Sequence, residues 1–189
     1  MDRIEILEKI EGNPIIAAVR SEEDLEYAVN TTVSTIFLLH ADIFNLSPFV
    51  EKARNSGKNI FIHMDMLEGI GKDNKAIDYI HREIRPDGII STKSSHIKYA
   101  MEKGLFAIQR VFLIDSQSYK QSVKSILTVQ PDMVEVLPGI MPGIIRRISG
   151  RLSIPVIAGG LIESKDDVIQ ILGSGAMAIS TSKKELWNL

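Results

Sequence analysis

Eight short apolar blocks, rich in Ile, Val and Phe and each followed by a polar or amphipathic stretch, constrain this chain more than any other feature. They are IIAAV at 15–19, STIFLLH at 34–40, NIFIHMD at 59–65, GIIS at 88–91, LFAIQRVFLID at 105–115, DMVEVLPG at 132–139, IPVIAGG at 154–160 and GAMAIST at 175–181. Apolar runs this short, with little polar alternation, mark strands buried on both faces, and the intervening stretches supply the crossovers that parallel neighbours require. Local signals agree. Ser21 with Asp24 caps SEEDLEYAVN, Ser47 and Pro48 start a helix that Gly57 stops, and Pro86 ends the helical pattern of DNKAIDYIHREIR.

Right-handed crossovers turn such a series into an open doubly wound sheet or a closed barrel. Eight regular units and the lack of a GxGxxG after the first block favour an α/β fold of the compact (β/α)8 TIM type. The chain has 189 residues where such a barrel usually takes about 250, so some helices must be shortened or missing. PGIMPGIIRRISGR, for instance, leaves room for only one or two short turns after the sixth block. No linker divides the sequence, and residues 1–189 are expected to form a single phosphate-binding barrel domain.

Several function classes fall away. With no cysteine, disulfides, thiolate nucleophiles and thiolate-ligated metals are excluded, and the chain fits a cytoplasmic setting. The first residues, MDRIEILEKIEGNP, carry spread acidic groups and resemble neither a signal peptide nor a membrane anchor. A formal charge of −2 gives no global attraction to polyanions. His40, His63, His81 and His96 lack metal-site spacing, so no metal is expected; His63 reads as a hydrogen-bonded core residue.

Ligands of such sheets bind at the carboxyl ends of the strands. Gly159 and Gly160 close the seventh block and let an oxyanion approach the backbone, while Ser180, Thr181 and Ser182 close the eighth. Together they match the usual barrel phosphate site, although two glycines after a strand also relieve crowding at a tight turn. Lys93 is a candidate cation at the mouth or a Schiff-base former, against a solvated lysine in a first helical turn. Asp65 and Glu68 are candidate acceptors for polyol hydroxyls, Asp65 alternatively a backbone cap. Gln109 and Arg110 follow a buried run, and an inward Glu135 would need partners to offset its desolvation. Arg146, Arg147 and Arg151, with Lys183 and Lys184, form a local basic cluster that fits either a phosphate backbone or a solvated face. Lys72, Lys75, Arg82 and Arg85 make a second positive band, diluted by Asp73, Asp78 and Glu83.

The ordered combination HxDxLxGIGxD, GIISTK, QRxFLxDS, EVLPG and AGGLI, within a match running from NPIIAAVRSEEDLEYA to GAMAISTSKKELW, resembles the bacterial glycerol-3-phosphate-responsive antiterminator family. The resemblance implies a barrel without a turnover reaction or cofactor, in which glycerol 3-phosphate binds at the mouth as an effector. It further implies action on nascent leader RNA of glycerol catabolic genes. The family's motifs fall here on Asp65, Glu68, Lys93, Gln109, Arg110, Glu135, Gly159 and Gly160. Mouth loops at 66–74 and 137–143 are expected to order on binding, and a homo-oligomer would suit two-sided RNA contact. The rival expectation is a phosphate-handling barrel enzyme, a lyase, isomerase or aldolase, using Lys93 and a carboxylate. A third is a sensor that binds a protein partner.

Overall fold

The computed structural model describes residues 2–189. Eight parallel strands close into a barrel in sequence order, so the closed alternative holds over the open sheet. The strands are β1 (Ile15–Val19), β2 (Thr35–Leu38), β3 (Asn59–His63), β4 (Gly88–Ser91), β5 (Phe106–Phe112), β6 (Met133–Leu137), β7 (Val156–Gly159) and β8 (Ala178–Thr181). Each lies inside one of the eight apolar blocks, and β1 and β4 coincide with theirs. The helices are α1 (Arg3–Gly12), α2 (Glu22–Val29), α3 (Leu46–Asn55), α4 (Asn74–Tyr79), α5 (Ser94–Glu102), α6 (Ser116–Val129), α7 (Pro142–Ser149) and α8 (Lys165–Leu172).

The chain closes eight units by economising on helices. Six-residue α4 runs into a five-residue π turn, Ile80–Ile84, and β8 is followed only by the 3-10 turn Lys184–Leu186. The short pieces start and stop where side chains satisfy free backbone groups. Ser21 accepts from Asp24 N, Asp73 from Ala76 N, and Ser164 forms a reciprocal capping box with Asp167. The π turn ends on Arg85 in the left-handed region (φ 55°), just before Pro86. None of the helices is long and apolar enough to cross a membrane among the described residues.

Two apolar layers result from period-two alternation along each strand. Ile15, Ala17 and Val19 of β1, like Ile36, Ile60, Ile89, Val134 and Ile179 on other strands, face the helices. Ile16, Ala18, Phe37, Phe61, Ile90, Phe106, Ile108, Met133, Ile157 and Ala178 fill the barrel. Phe61 touches both Phe37 and Phe106 edge-on at centroid distances of 5.7 and 5.6 Å, a geometry that favours aromatic pairs beyond their buried area. The barrel also has a floor. Ile6 and Ile10 of α1 pack into the interior cluster from the amino ends of the strands. Arg3 pairs with Asp132 at 2.7 Å, and Ser34 Oγ donates to Lys9 O at 3.0 Å, tying that helix to the loops before β6 and β2.

Candidate functional site

With the floor closed, the open end of the barrel lies at the carboxyl ends of the strands. Alternation from Phe61, Ile108, Met133, Ile157 and Ala178 turns the next residue of the same parity inward on each strand: His63, Arg110, Glu135, Gly159 and Ser180. The β5–β6 register sets Arg110 opposite Glu135, and the β7–β8 register sets Gly159 opposite Ser180. A fully buried carboxylate is strongly disfavoured unless it is paired and hydrogen-bonded. Glu135 is both: Arg110 Nε donates to Oε2 at 2.5 Å and Ser180 Oγ donates to Oε1 at 2.6 Å. Gly159 makes room for them. A Cβ there would stand 2.6 Å from Ser180 Oγ and 2.7 Å from Glu135 Oε1.

Above this cluster is a cavity of about 130 Å3 bounded by Arg110, Glu135, Ser180, Gly160, Ser182 and Lys183, with Ala18, Arg20, Leu39 and Leu137 on the remaining side. Its rim has an unusual backbone. Gly160 and Leu161 take consecutive positive φ values of 78° and 61°, the second uncommon for a side-chain-bearing residue, and Leu161 points its side chain into solvent. Gly139 N donates to Gly159 O at 2.6 Å and to Gly160 O at 3.2 Å, so the β6–α7 loop braces this turn. A Cβ on Gly139 would come 2.7 Å from Gly159 N. The helix that follows is already stoppered: the Asp167 carboxylate accepts from Glu163 N and Ser164 N.

His63 shares the inward layer. It is 3% exposed and its Nδ1 has no hydrogen-bond partner, so the expectation of a hydrogen-bonded core histidine is corrected at that atom. Burial, with the nearby Arg110 charge, pushes its pKa down to about 4 and keeps the ring neutral.

The β3–β4 edge of the mouth is organised separately. Asp65 accepts from Thr92 N at 2.7 Å, Thr92 Oγ1 at 2.9 Å and Ser91 Oγ at 2.9 Å. Burial opposes its ionisation, but these hydrogen bonds outweigh it and hold the carboxyl below its ordinary range. Lys72 Nζ donates to Met64 O at 2.9 Å and also to Leu67 O, stapling the loop after β3. Glu68 is exposed, with Oε1 3.9 Å from His40 Nδ1. Among the described residues, no group of three or more His, Asp or Glu side chains could hold a metal ion.

Residues 15–187 match the family model described as glycerol-3-phosphate responsive antiterminator. The chain belongs to that family. It is 36% identical over 184 residues to the uncharacterized protein YgcP of Escherichia coli K12, covering 97% of this chain and 96% of that one. The crystal structure of the glycerol uptake operon antiterminator regulatory protein of Listeria monocytogenes superposes with a TM-score of 0.89 at 41% identity, covering 93% of this chain and 95% of that one. A glycerol uptake operon antiterminator-related protein of Thermotoga maritima gives 0.82 at 34% identity, covering 92% and 96%.

Within this antiterminator fold the structure sorts the sequence candidates into groups. Arg110, Glu135, Gly160, Ser180, Thr181 and Ser182 come together at one cavity, with Gly159 against the Glu135–Ser180 contact. Asp65, Glu68 and Lys93 gather on the other edge, and Lys93 is the exposed residue preceding α5. Gln109 is corrected outright: next to inward Arg110, it faces the helices, where its Nε2 donates to Ser125 Oγ at 2.8 Å and Ser94 Oγ at 3.3 Å. Thr181 also faces outward, donating to Ile162 O at 2.8 Å, and reaches the cavity only at its edge.

The basic candidates divide likewise. Arg146, Arg147 and Arg151 are exposed on and after α7, with Arg147 4.7 Å over the Tyr119 ring. Lys183 borders the mouth cavity, and Lys184 is engaged by Asp24 at 2.8 Å and Glu23 at 3.5 Å. Arg20, immediately after β1, also borders this cavity, and its place at the end of the first strand is the signal that marks it. The second positive band supplies Arg82 and Arg85 to a wider concavity of about 770 Å3 at the opposite end of the barrel. There Arg54 donates to Ile84 O at 3.4 Å and Asp87 accepts from Ile60 N at 2.8 Å, so the polar groups chiefly serve the fold.

Proposed function

We propose that this chain is a glycerol-3-phosphate-responsive transcription antiterminator that acts on leader RNA of glycerol catabolic genes. The observation that carries the reading is the Arg110–Glu135–Ser180 cluster at the base of a cavity sized for a small ligand, in a chain of this family. Buried polar groups with remaining hydrogen-bonding capacity, concentrated at a barrel mouth, suit a short polyol. Glu135 accepts a glycerol hydroxyl, while Ser180 and Arg110 offer an acceptor oxygen and further N–H donors.

The phosphate belongs at the rim. Placed beside Glu135 it would meet like charge, whereas Gly160 and Ser182 offer backbone and Arg20 and Lys183 offer cations. The stoppered start of α8 leaves this glycine–serine rim as the anion site in preference to the helix end. Asp65, Glu68 and Lys93 border the far side of the mouth and belong to loop order more than to ligand contact. Regulation then requires different effector affinity in two states of the protein, and the braced Gly139–Gly159 contact is the element that a rim-bound phosphate would bias.

The deciding experiment measures affinity for a glycerol operon leader transcript with and without glycerol 3-phosphate, at two salt concentrations and against an unrelated hairpin. Selective binding tightened by the effector is expected. No selective binding by folded, effector-loaded protein would overturn the reading.

A further inference from the structure

Between residues 116 and 162 the chain carries five basic side chains and two acidic ones, although its whole formal charge is −2. Both acids are spoken for: Asp132 pairs with Arg3 at 2.7 Å and Glu135 with Arg110 at 2.5 Å. The basic residues, Lys120, Lys124, Arg146, Arg147 and Arg151, are all exposed. Helices α6 and α7 thus present a cationic face, bordered by Asp115 at the cap of α6 and by Glu163 beyond β7, in an otherwise acidic protein. That charge complements a polyanion.

A groove of about 290 Å3 opens between these helices on the mouth side. Its walls are Ile114, Met141 and Ile144, with Tyr119, Lys120 and Arg147 along it and the Asp115 carboxylate at its edge, engaged by Ser118 N at 2.7 Å. Ile114 is 86% exposed, an arrangement that leaves a large apolar side chain in water unless something covers it. The Arg147 guanidinium is held 4.7 Å over the Tyr119 ring, which leaves its opposite face for a second planar group. The Tyr119 hydroxyl is buried without a hydrogen-bond partner. Apolar walls and a flat cation make a slot for a nucleobase. Single-stranded RNA is read in this way, by bases stacked on rings or guanidinium planes with cations on the backbone.

We infer that the α6–α7 groove seats an unpaired base of the leader RNA, with the flanking basic residues on its backbone phosphates. This rests on the antiterminator reading and adds to it the surface and the kind of RNA element recognised. The groove also adjoins the effector site. β5 carries Arg110 into the mouth and continues into Leu113 and Ile114 of the groove, and Leu113 N donates to Leu137 O at 2.8 Å on the strand that carries Glu135. Gly139 then ties the loop before Met141 to Gly159. An effector that shifts the Arg110–Glu135 pair or the Gly159–Gly160 turn therefore moves a groove wall directly.

The test titrates full-length protein, loaded with glycerol 3-phosphate, into a fluorescent leader transcript and into a fully paired RNA duplex over a range of salt. Ile114→Asp is expected to weaken transcript binding by about tenfold or more while weakening duplex binding, through its added charge alone, by less than about threefold. Arg146→Gln with Arg151→Gln should flatten the slope of log affinity against log salt by about 1.4, the share of two single-strand phosphates. Arg82→Gln, in the concavity at the opposite end, should leave both within about twofold. Calorimetric titration with glycerol 3-phosphate verifies that each variant is folded and effector-competent. Unchanged transcript affinity in Ile114→Asp overturns the inference. Unchanged RNA affinity with lost antitermination in a purified transcription reaction would assign the groove to a protein partner and overturn it equally. Failure of the wild-type protein to bind the transcript is instead the failure of the antiterminator reading itself.

Discussion

Arg110 Nε stands 2.5 Å from Glu135 Oε2, and the two side chains face each other across neighbouring strands inside the barrel. Removing one partner leaves the other charge buried and unpaired, which typically destabilises by about 3–5 kcal/mol. Glu135→Ala should lose that much in urea unfolding. The double replacement Arg110→Met with Glu135→Leu should regain most of it while abolishing glycerol 3-phosphate binding by calorimetry. A double variant that still bound the effector would place the site elsewhere.

Gly159→Ala tests the neighbouring constraint. The added Cβ falls 2.6 Å from Ser180 Oγ and 2.7 Å from Glu135 Oε1, well inside contact distance, and both atoms belong to the cluster proposed to meet the ligand. Overpacking of this kind costs about 1–3 kcal/mol. Effector affinity should fall at least about tenfold, with only a modest drop in the unfolding midpoint. Affinity equal to wild type would show that the cluster tolerates displacement and does not hold the ligand.

How legible all this was depends on the strand periodicity. The blocks IIAAV and GIIS match β1 and β4 residue for residue because the chain leaves and enters them at polar or turn residues. What the pattern does not carry is direction. In strands buried on both faces, Gln109 and Arg110 follow apolar residues equally, and only the closed barrel decides that Arg110 enters it and Gln109 meets Ser94 and Ser125. Glu135 was legible for the opposite reason, since a carboxylate inside MVEVL demands partners wherever it points. Asp65 was ambiguous between ligand and cap because its use depends on Thr92, whose backbone is brought to it only by β3–β4 pairing.

That ambiguity yields its own prediction. Both Asp65 oxygens accept hydrogen bonds from Ser91 and Thr92, so Asp65→Ala should destabilise by about 1–3 kcal/mol through the donors it strands. Effector affinity should change by less than about threefold. A loss beyond tenfold with stability intact would make Asp65 a ligand contact.

His63 sets a pH dependence. Its pKa in the folded protein is lowered to about 4 from an ordinary 6.5, because burial and the Arg110 charge disfavour the imidazolium. The unfolded chain therefore binds the extra proton first as pH falls, and stability declines from about pH 6.5 towards pH 4. The contribution present above that window is about 3 kcal/mol, from 1.36 kcal/mol per pKa unit. Urea unfolding of the wild type should show this decline between pH 6.5 and 4, and His63→Asn should flatten it. An equal slope in both would mean that His63 is not the titrating group.

The floor of the barrel is the last element the sequence did not announce. MDRIEILEKIEGNP offers Ile6 and Ile10 at helical spacing, yet nothing in the segment says that they close a barrel. In the fold they are 1% and 0% exposed and join the interior cluster beneath Phe37, Phe61 and Phe106. Truncating a buried Ile to Ala costs about 2–5 kcal/mol, more where the surroundings cannot collapse, and strand ends fixed in a closed barrel collapse poorly. Ile10→Ala should fall in the upper half of that range by urea unfolding, whereas Ile4→Ala, 63% exposed on the same helix, should change stability by less than about 0.5 kcal/mol. The cavity left by Ile10→Ala lies at the far end of the barrel from Glu135, so effector affinity measured below the unfolding transition should hold. Loss of that affinity would show that the floor also controls the mouth through the stacked side chains between them.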